Sequence, residues 1–231
     1  MDYRDRHIVV TGGTGALGNA VVGALVQAGA VCHVPYLLAA EAERFPLRAH
    51  AAVKLIGPTE LTEEAAVERL YSGVPALWAS IHLAGGFAAS AIGETTKADL
   101  QKQLDLNLVT AFLCCRAAVN AMASGGGRIV NVAARPALEW RAGAGMAAYA
   151  ASKAAVAAIT AAIAEEIAKS GILVNAVAPS IMDTPANRAA MPKADHASWP
   201  KVEEVAATIL FLASPDNKVS RGGVVPVYGR S

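Results

Sequence analysis

A doubly wound α/β domain, with a parallel sheet and helices on both faces, is the fold this sequence predicts. Three observations predict it. Short β-branched runs alternate with longer helical stretches along the chain. A glycine-rich turn follows the first of those runs and opens the first helix. The length of 231 residues matches one compact domain, and 54% of the side chains are hydrophobic while only 5% are aromatic. Alanine alone supplies 52 positions, which suits closely packed small-residue helices and excludes a disordered chain.

His7–Thr11 reads as a buried strand, and Gly15–Ala28 as a helix entered through glycines. Ala30–Val34 is a second strand, Ala39–Phe45 a short helix and Ala51–Ile56 a weak third strand. Thr62–Tyr71 follows as a helix, and its start, Thr62-Glu63-Glu64, looks like a cap with acidic first-turn residues. Leu77–Leu83 is the fourth strand, Ala98–Met122 one long helix and Arg128–Val132 the fifth strand. A helix over Tyr149–Lys169, a strand over Leu173–Val177, a helix over Lys201–Ala213 and a strand over Val224–Tyr228 complete the series. The result is about seven strands, parallel because helices separate them. No repeat, low-complexity tract or linker divides the chain, so residues 1–231 are expected to form one domain. The irregular stretches 133–148 and 179–200 leave the carboxyl ends of strands, where such sheets form their ligand crevice.

Twenty basic against nineteen acidic side chains leave a net charge of +1, without the basic excess of a nucleic-acid binder. Cys32, Cys114 and Cys115 are odd in number and lack Cys-x-x-Cys spacing, which argues against a disulfide framework or zinc site. They read as small buried hydrophobes in a reducing compartment. His7, His33, His50, His82 and His196 show no ligand spacing, so no metal site is expected; surface or packed imidazoles are the reading for all five. Residues 7–40 and 71–93 carry no formal charge, but glycines and prolines interrupt both before they make a membrane span. The start, Met1-Asp2-Tyr3-Arg4-Asp5-Arg6, has no signal-type pattern. A cytoplasmic protein with a small-molecule substrate, and neither nucleic acid nor membrane as partner, is the expectation.

Thr11-Gly12-Gly13-Thr14-Gly15-Ala16-Leu17-Gly18 lies between the first strand and first helix. Glycines there allow a tight turn and close approach of backbone to a pyrophosphate, which the helix N-terminus attracts. The position points to a Rossmann-like dinucleotide site, and the absence of a Gly-Lys-Ser/Thr ending disfavours an NTPase. NAD and NADP are normally separated by an acid or an arginine at the end of the second strand. Val34-Pro35-Tyr36-Leu37 offers neither, and His33, Tyr36 and Arg44 are only possible neighbours, so the cofactor reads as NAD or NADP.

Tyr149-Ala150-Ala151-Ser152-Lys153 opens a helix, and a spacing of four stacks Tyr149 and Lys153 on one face. A phenol with a pKa of about 10 is a poor proton donor or acceptor at neutral pH. A nearby ammonium, joined by an oxidised nicotinamide, favours the phenolate. Tyr149 could then protonate a carbonyl or imine as hydride arrives, while Lys153 holds ribose hydroxyls.

With these pieces in place the chain resembles the short-chain dehydrogenase/reductase family over essentially its full length. The matching segments are Thr11–Gly18, Leu83-Ala84-Gly85-Gly86, Asp105-Leu106-Asn107-Leu108, Gly127-Arg128-Ile129-Val130-Asn131-Val132, Tyr149–Lys153 and Val174-Asn175-Ala176-Val177-Ala178-Pro179. The resemblance implies a water-linked proton relay through Asn107, Lys153 and Tyr149. It implies cofactor contacts from Gly12, Thr14, Gly15, Ala16, Leu17, Gly18, Ala84, Gly85, Gly86, Lys153 and Pro179. Ile181 and Thr184 would meet the nicotinamide carboxamide, and Glu60-Leu61 take the usual place of an adenine contact. The family's substrate-binding serine is missing: Ala134 falls at its position, and residues 125–151 contain no Ser or Thr. Ordinary ketone reduction would lose one oxygen-stabilising donor.

Quinonoid dihydropteridine reductases resemble this chain at Gly12–Gly18, at the aromatic Phe87 after Ala84-Gly85-Gly86, at the alanine in place of serine, and over Asp183–Trp199. The resemblance implies a pterin-like ring as substrate, with Phe87 or Trp140 placed to stack on it. A carbonyl reductase and a non-catalytic dinucleotide-binding regulator are the competing readings. The helices at 98–122 and 149–169 are apolar on more than one face, so a partner subunit in a homodimer or homotetramer is expected to cover them.

Overall fold

The structure, a computed structural model, describes residues 1–122 and 125–231. The strands are β1 (His7–Thr11), β2 (Val31–Pro35), β3 (Val53–Ile56), β4 (Leu77–His82), β5 (Gly127–Val132), β6 (Ile172–Pro179) and β7 (Val224–Val227). They form one parallel sheet of seven strands in the order β3-β2-β1-β4-β5-β6-β7. The direction of winding reverses between β1 and β4. A crevice therefore opens above their carboxyl ends.

The helices are α1 (Ala16–Gln27), α2 (Ala39–Arg44), α3 (Glu64–Ser72), α4 (Lys97–Leu104), α5 (Thr110–Met122), α6 (Arg135–Leu138), α7 (Ala147–Glu166), α8 (Pro185–Ala190) and α9 (Val202–Ala213). Successive strand side chains point to opposite faces, so one strand feeds two cores. Ile8 and Val10 of β1 pack with Val21, Val22 and Leu25 of α1 and with Ile209 and Leu210 of α9. Val9, between them, belongs to the opposite layer, with Val67 and Leu70 of α3, Cys114, Cys115 and Ala118 of α5, and Ala164 of α7. Burial on both faces is why these strands read as unbroken apolar runs. The three cysteines are buried, and desolvation pushes each thiol up to about 12.

Two sequence expectations need correction. The single helix expected over Ala98–Met122 is interrupted: α4 and α5 are joined by a π-helical turn over Asp105–Val109. That turn contains no glycine or proline, the usual markers of a break. Thr62 does not cap α3, which starts at Glu64 with Glu63 as its N-cap residue. The Thr62 hydroxyl donates instead to Glu60 Oε1 at 2.9 Å. The stretch 133–148 holds α6 and a 3-10 turn at Trp140–Gly143, and 179–200 holds α8 and a 3-10 turn at His196–Ser198. Lys97–Met122 and Ala147–Glu166 are long and apolar enough to cross a membrane by length and composition, yet both are laid against the sheet.

Candidate active site

Two adjoining cavities of about 310 and 330 Å³ share Gly12, Gly15, Leu83 and Gly85 as walls and make one cleft above β1 and β4. The glycine turn is folded backbone against backbone. Gly12 has φ of +65°, and a Cβ there would lie 2.6 Å from Ala84 N. A Cβ at Gly18 would lie 2.3 Å from Gly12 O, so any side chain at either position would push the turn open. Gly15 is the extended N-cap residue of α1 and supplies no side-chain cap, while Gly15, Ala16, Leu17 and Gly18 all line the cleft. The first N–H groups of α1 are thus left to a ligand, and an anion fits there without displacing a residue.

The second cavity lies beside the carboxyl end of β2. Thr14, Glu60, Leu61, Ala84 and Gly85, five of the expected cofactor contacts, line it together with Tyr36, Leu37, Glu41 and Thr59. Of the three possible neighbours near β2, only Tyr36 lines it. His33 is buried against His7, with Nε2 and Nδ1 2.9 Å apart, and the Arg44 guanidinium donates to Ala40 O. Glu41 was invisible to sequence reading. Its Oε2 accepts from the N–H groups of Leu37 and Leu38, which folds the carboxylate of α2 back toward the cleft.

At the reacting end α7 presents Tyr149 and Lys153. Lys153 is buried and donates to Val132 O at 2.8 Å, at the end of β5; burial draws its ammonium down to about 8. Burial also pushes the Tyr149 phenol up to about 12. In the protein alone desolvation wins and Tyr149 is a neutral phenol at neutral pH; the acidification expected from Lys153 together with an oxidised nicotinamide belongs to the cofactor-bound state. A neutral phenol is the form that gives a proton. The Phe87 ring meets Tyr149 edge-on, 4.9 Å between centroids at 81°.

Asn107 sits buried in the π-turn. Its Nδ2 donates to Gly86 O at 3.0 Å, Gln103 O at 3.1 Å and Ser152 Oγ at 3.1 Å, and its Oδ1 accepts from Gly86 N at 3.1 Å. The side chain is thus spent on holding Gly86 and α7 in place. Gly85 separates it from the lysine: a Cβ there would lie 2.5 Å from Asn107 Oδ1 and 3.4 Å from Lys153 Nζ.

Ala133 and Ala134 line the cleft beside Tyr149, and Pro179, Ser180 and Met182 form the wall from the end of β6. Ile181, expected at the carboxamide, is 44% exposed and does not line the cleft. Its neighbours Pro179, Ser180 and Met182 make that wall instead. Thr184 is buried as the N-cap residue of α8, its hydroxyl accepting from Asn187 N at 3.2 Å, and it too lies off the cleft. Trp140 is 80% exposed and outside the cleft; Phe87, 64% exposed, lines it.

Behind the cleft runs a buried polar network that no motif announced. Register pairs His82 of β4 with Asn131 of β5, and His82 Nδ1 lies 2.7 Å from Asn131 Oδ1. His82 Nε2 lies 2.8 Å from Ser80 Oγ, which is 2.7 Å from the Tyr71 hydroxyl. Asn131 Nδ2 donates to Thr160 Oγ1 of α7 at 2.9 Å. Burial holds the His82 imidazole down at about 4, hence neutral.

The family model described as short chain dehydrogenase matches residues 6–195. Galactitol 2-dehydrogenase of Rhizobium johnstonii is 34% identical over 95% of this chain and 92% of its own length. A 3beta-hydroxysteroid dehydrogenase of Mediterraneibacter gnavus is 28% identical, covering 98% and 95%. Among solved structures, a short-chain type dehydrogenase/reductase from Mycobacterium ulcerans superposes with a TM-score of 0.88 at 26% identity over 99% of this chain and 90% of that one. ElxO with NADP bound shares the fold, with a TM-score of 0.88 at 22% identity over 97% of both chains.

Proposed function

The chain belongs to the short-chain dehydrogenase family, and from that premise we propose that it reduces a flat, conjugated heterocycle of the pterin type, with Tyr149 as proton donor. The protein is an oxidoreductase that uses NAD or NADP. Bound along the glycine turn, the dinucleotide supplies the hydride. Gly12, Gly15 and Gly18 would let a pyrophosphate come close to the backbone, and the open N-terminus of α1 would hold it. Lys153, fixed to Val132 O, keeps a positive charge near the phenol and ribose. Tyr149 is protonated at neutral pH and gives its proton to the substrate. Asn107 holds Gly86 and α7 in register, and we assign the resupply of protons to its neighbourhood.

The observation that carries the pterin reading is the alanine wall. Ala133 and Ala134 stand beside Tyr149 without a hydroxyl, and the partly exposed Phe87 ring offers a flat apolar surface next to it. Loss of one preorganised donor costs acyl or carbonyl chemistry about 10²–10³-fold, whereas a delocalised ring spreads the incoming charge. A carbonyl substrate is the second reading, favoured because the relatives are named for alcohol and steroid dehydrogenation. Steady-state assays with quinonoid dihydropterin against a panel of ketones and aldehydes, after fluorescence titration with NADH and NADPH, separate the two. The pterin reading expects kcat/KM at least about 100-fold higher for the dihydropterin. A ketone that outruns it overturns the reading.

A further inference from the structure

The two cavities of the cleft differ in charge. The one that holds Tyr149 has the Lys153 ammonium in its wall. The other is lined by two carboxylates, Glu41 and Glu60, and by no lysine, arginine or histidine. The chain holds both acids in place. Glu41 Oε2 accepts from Leu37 N at 3.3 Å and Leu38 N at 3.2 Å. Glu60 Oε1 accepts from Thr62 N at 3.2 Å and from the Thr62 hydroxyl at 2.9 Å. The Tyr36 N–H is given to Ile56 O at 3.0 Å. The N–H groups of Tyr36, Leu37 and Leu38, which follow β2 and could otherwise receive an anion, are thus already engaged. Among the described residues, no donor reaches Glu41 Oε1, and both its lone pairs are left for a ligand.

We propose that Glu41, in the first turn of α2, makes this enzyme select NAD over NADP, accepting a ribose hydroxyl and repelling a phosphate in its place. The order of groups in a dinucleotide says where that ribose lies. The nicotinamide belongs beside Tyr149, and the pyrophosphate suits the open N-terminus of α1, which both cavities reach at Gly15. The adenosine half is then left to the cavity beside β2, where Tyr36, Leu37 and Leu61 offer a base apolar surface. A ribose hydroxyl donates to a carboxylate in a charge-assisted bond. A 2′-phosphate carries about −1.5 to −2 charges at neutral pH and would meet two acids with no cation in the wall. Glu41 cannot swing aside without releasing the N–H groups of Leu37 and Leu38 at the start of α2. Arg44, on the same helix, donates to Ala40 O and is not part of the wall. The inference rests on the nicotinamide lying at Tyr149 and not on the identity of the substrate.

The test is fluorescence titration of wild type, Glu41→Gln and Glu60→Gln with NADH and NADPH, with circular dichroism to show an intact fold. Wild type should bind NADH at least about 20-fold more tightly than NADPH. Glu41→Gln keeps an oxygen for Leu37 N and Leu38 N but removes the charge, and should narrow that ratio about tenfold, by tighter NADPH binding and weaker NADH binding. Displacement of NADH from the unmodified protein needs no variant: adenosine 5′-monophosphate should compete at least about tenfold better than its 2′-phosphorylated form. Wild type that binds the two dinucleotides equally, or prefers NADPH, overturns the inference. Glu41→Gln that weakens both by one factor also overturns it, making the carboxylate a prop for α2. Glu60→Gln that narrows the ratio as far as Glu41→Gln overturns the assignment to Glu41. Each Kd is read without turnover, so failure of the dihydropterin assay leaves this inference standing.

Discussion

Burial moves Tyr149 and Lys153 in opposite directions, the phenol up to about 12 and the ammonium down to about 8, because desolvation always favours the neutral form. The lysine is therefore the group that titrates in the working range. Below pH 8 the ammonium is present; as pH rises through about 8 it is lost, and with it the charge that assists Tyr149 and the ribose. A profile of kcat/KM against pH should fall above about 8, and the residual activity of Lys153→Gln should lack that limb. A limb placed nearer 12 would assign the titration to Tyr149 instead. Tyr149→Phe should lower kcat by at least about 10³-fold while leaving the Kd for NADH or NADPH unchanged, since the phenyl ring keeps the packing against Phe87. Tyr149 and Lys153 were legible because four residues make one helical turn. Glu41 and Ser180 were not: one reaches the cleft by folding back on Leu37 and Leu38, the other lies in the irregular segment after β6, where no short motif says which side chain faces the cleft.

The π-turn between α4 and α5 places Asn107 where its one amide reaches Gly86 on the cleft and Ser152 on α7. Asn107→Ala removes the side chain that ties the half-buried Gly86 backbone to the buried Ser152 hydroxyl, so it should destabilise the fold by about 1–3 kcal/mol, read as a lower denaturant midpoint. A second element-scale effect comes from His82, whose folded pKa of about 4 lies below its ordinary 6.5. Between those values the unfolded chain binds more protons. The stability His82 contributes is complete above about 6.5 and is lost as pH falls through about 4. Thermal unfolding should show Tm dropping over that window, and His82→Gln should flatten the drop. Neither device was readable from sequence. The π-turn carries no breaker residue, and the network exists only because strand register sets His82 beside Asn131.

At the scale of the molecule the seven strands and the two helical layers were legible, since the strands are short, mostly apolar runs and each connection is long enough for a helix. The sequence also led one to expect a partner subunit over the outer helices. Only 33% of the apolar window in Lys97–Met122 and 28% of that in Ala147–Glu166 is buried, and Phe112 is 47% exposed. We propose that a second copy of the chain packs on this face, as a dimer or tetramer. Light scattering at micromolar concentration should give at least twice the 23.6 kDa chain mass, and a monomer would refute it. One further property belongs to the whole sheet. Among the described residues, no carboxylate lies within ion-pair reach of Lys153, which hangs from the last carbonyl of β5. A peptide dipole does not exchange with dissolved ions as a counterion does, so added salt should slow capture of the anionic dinucleotide yet leave kcat nearly flat.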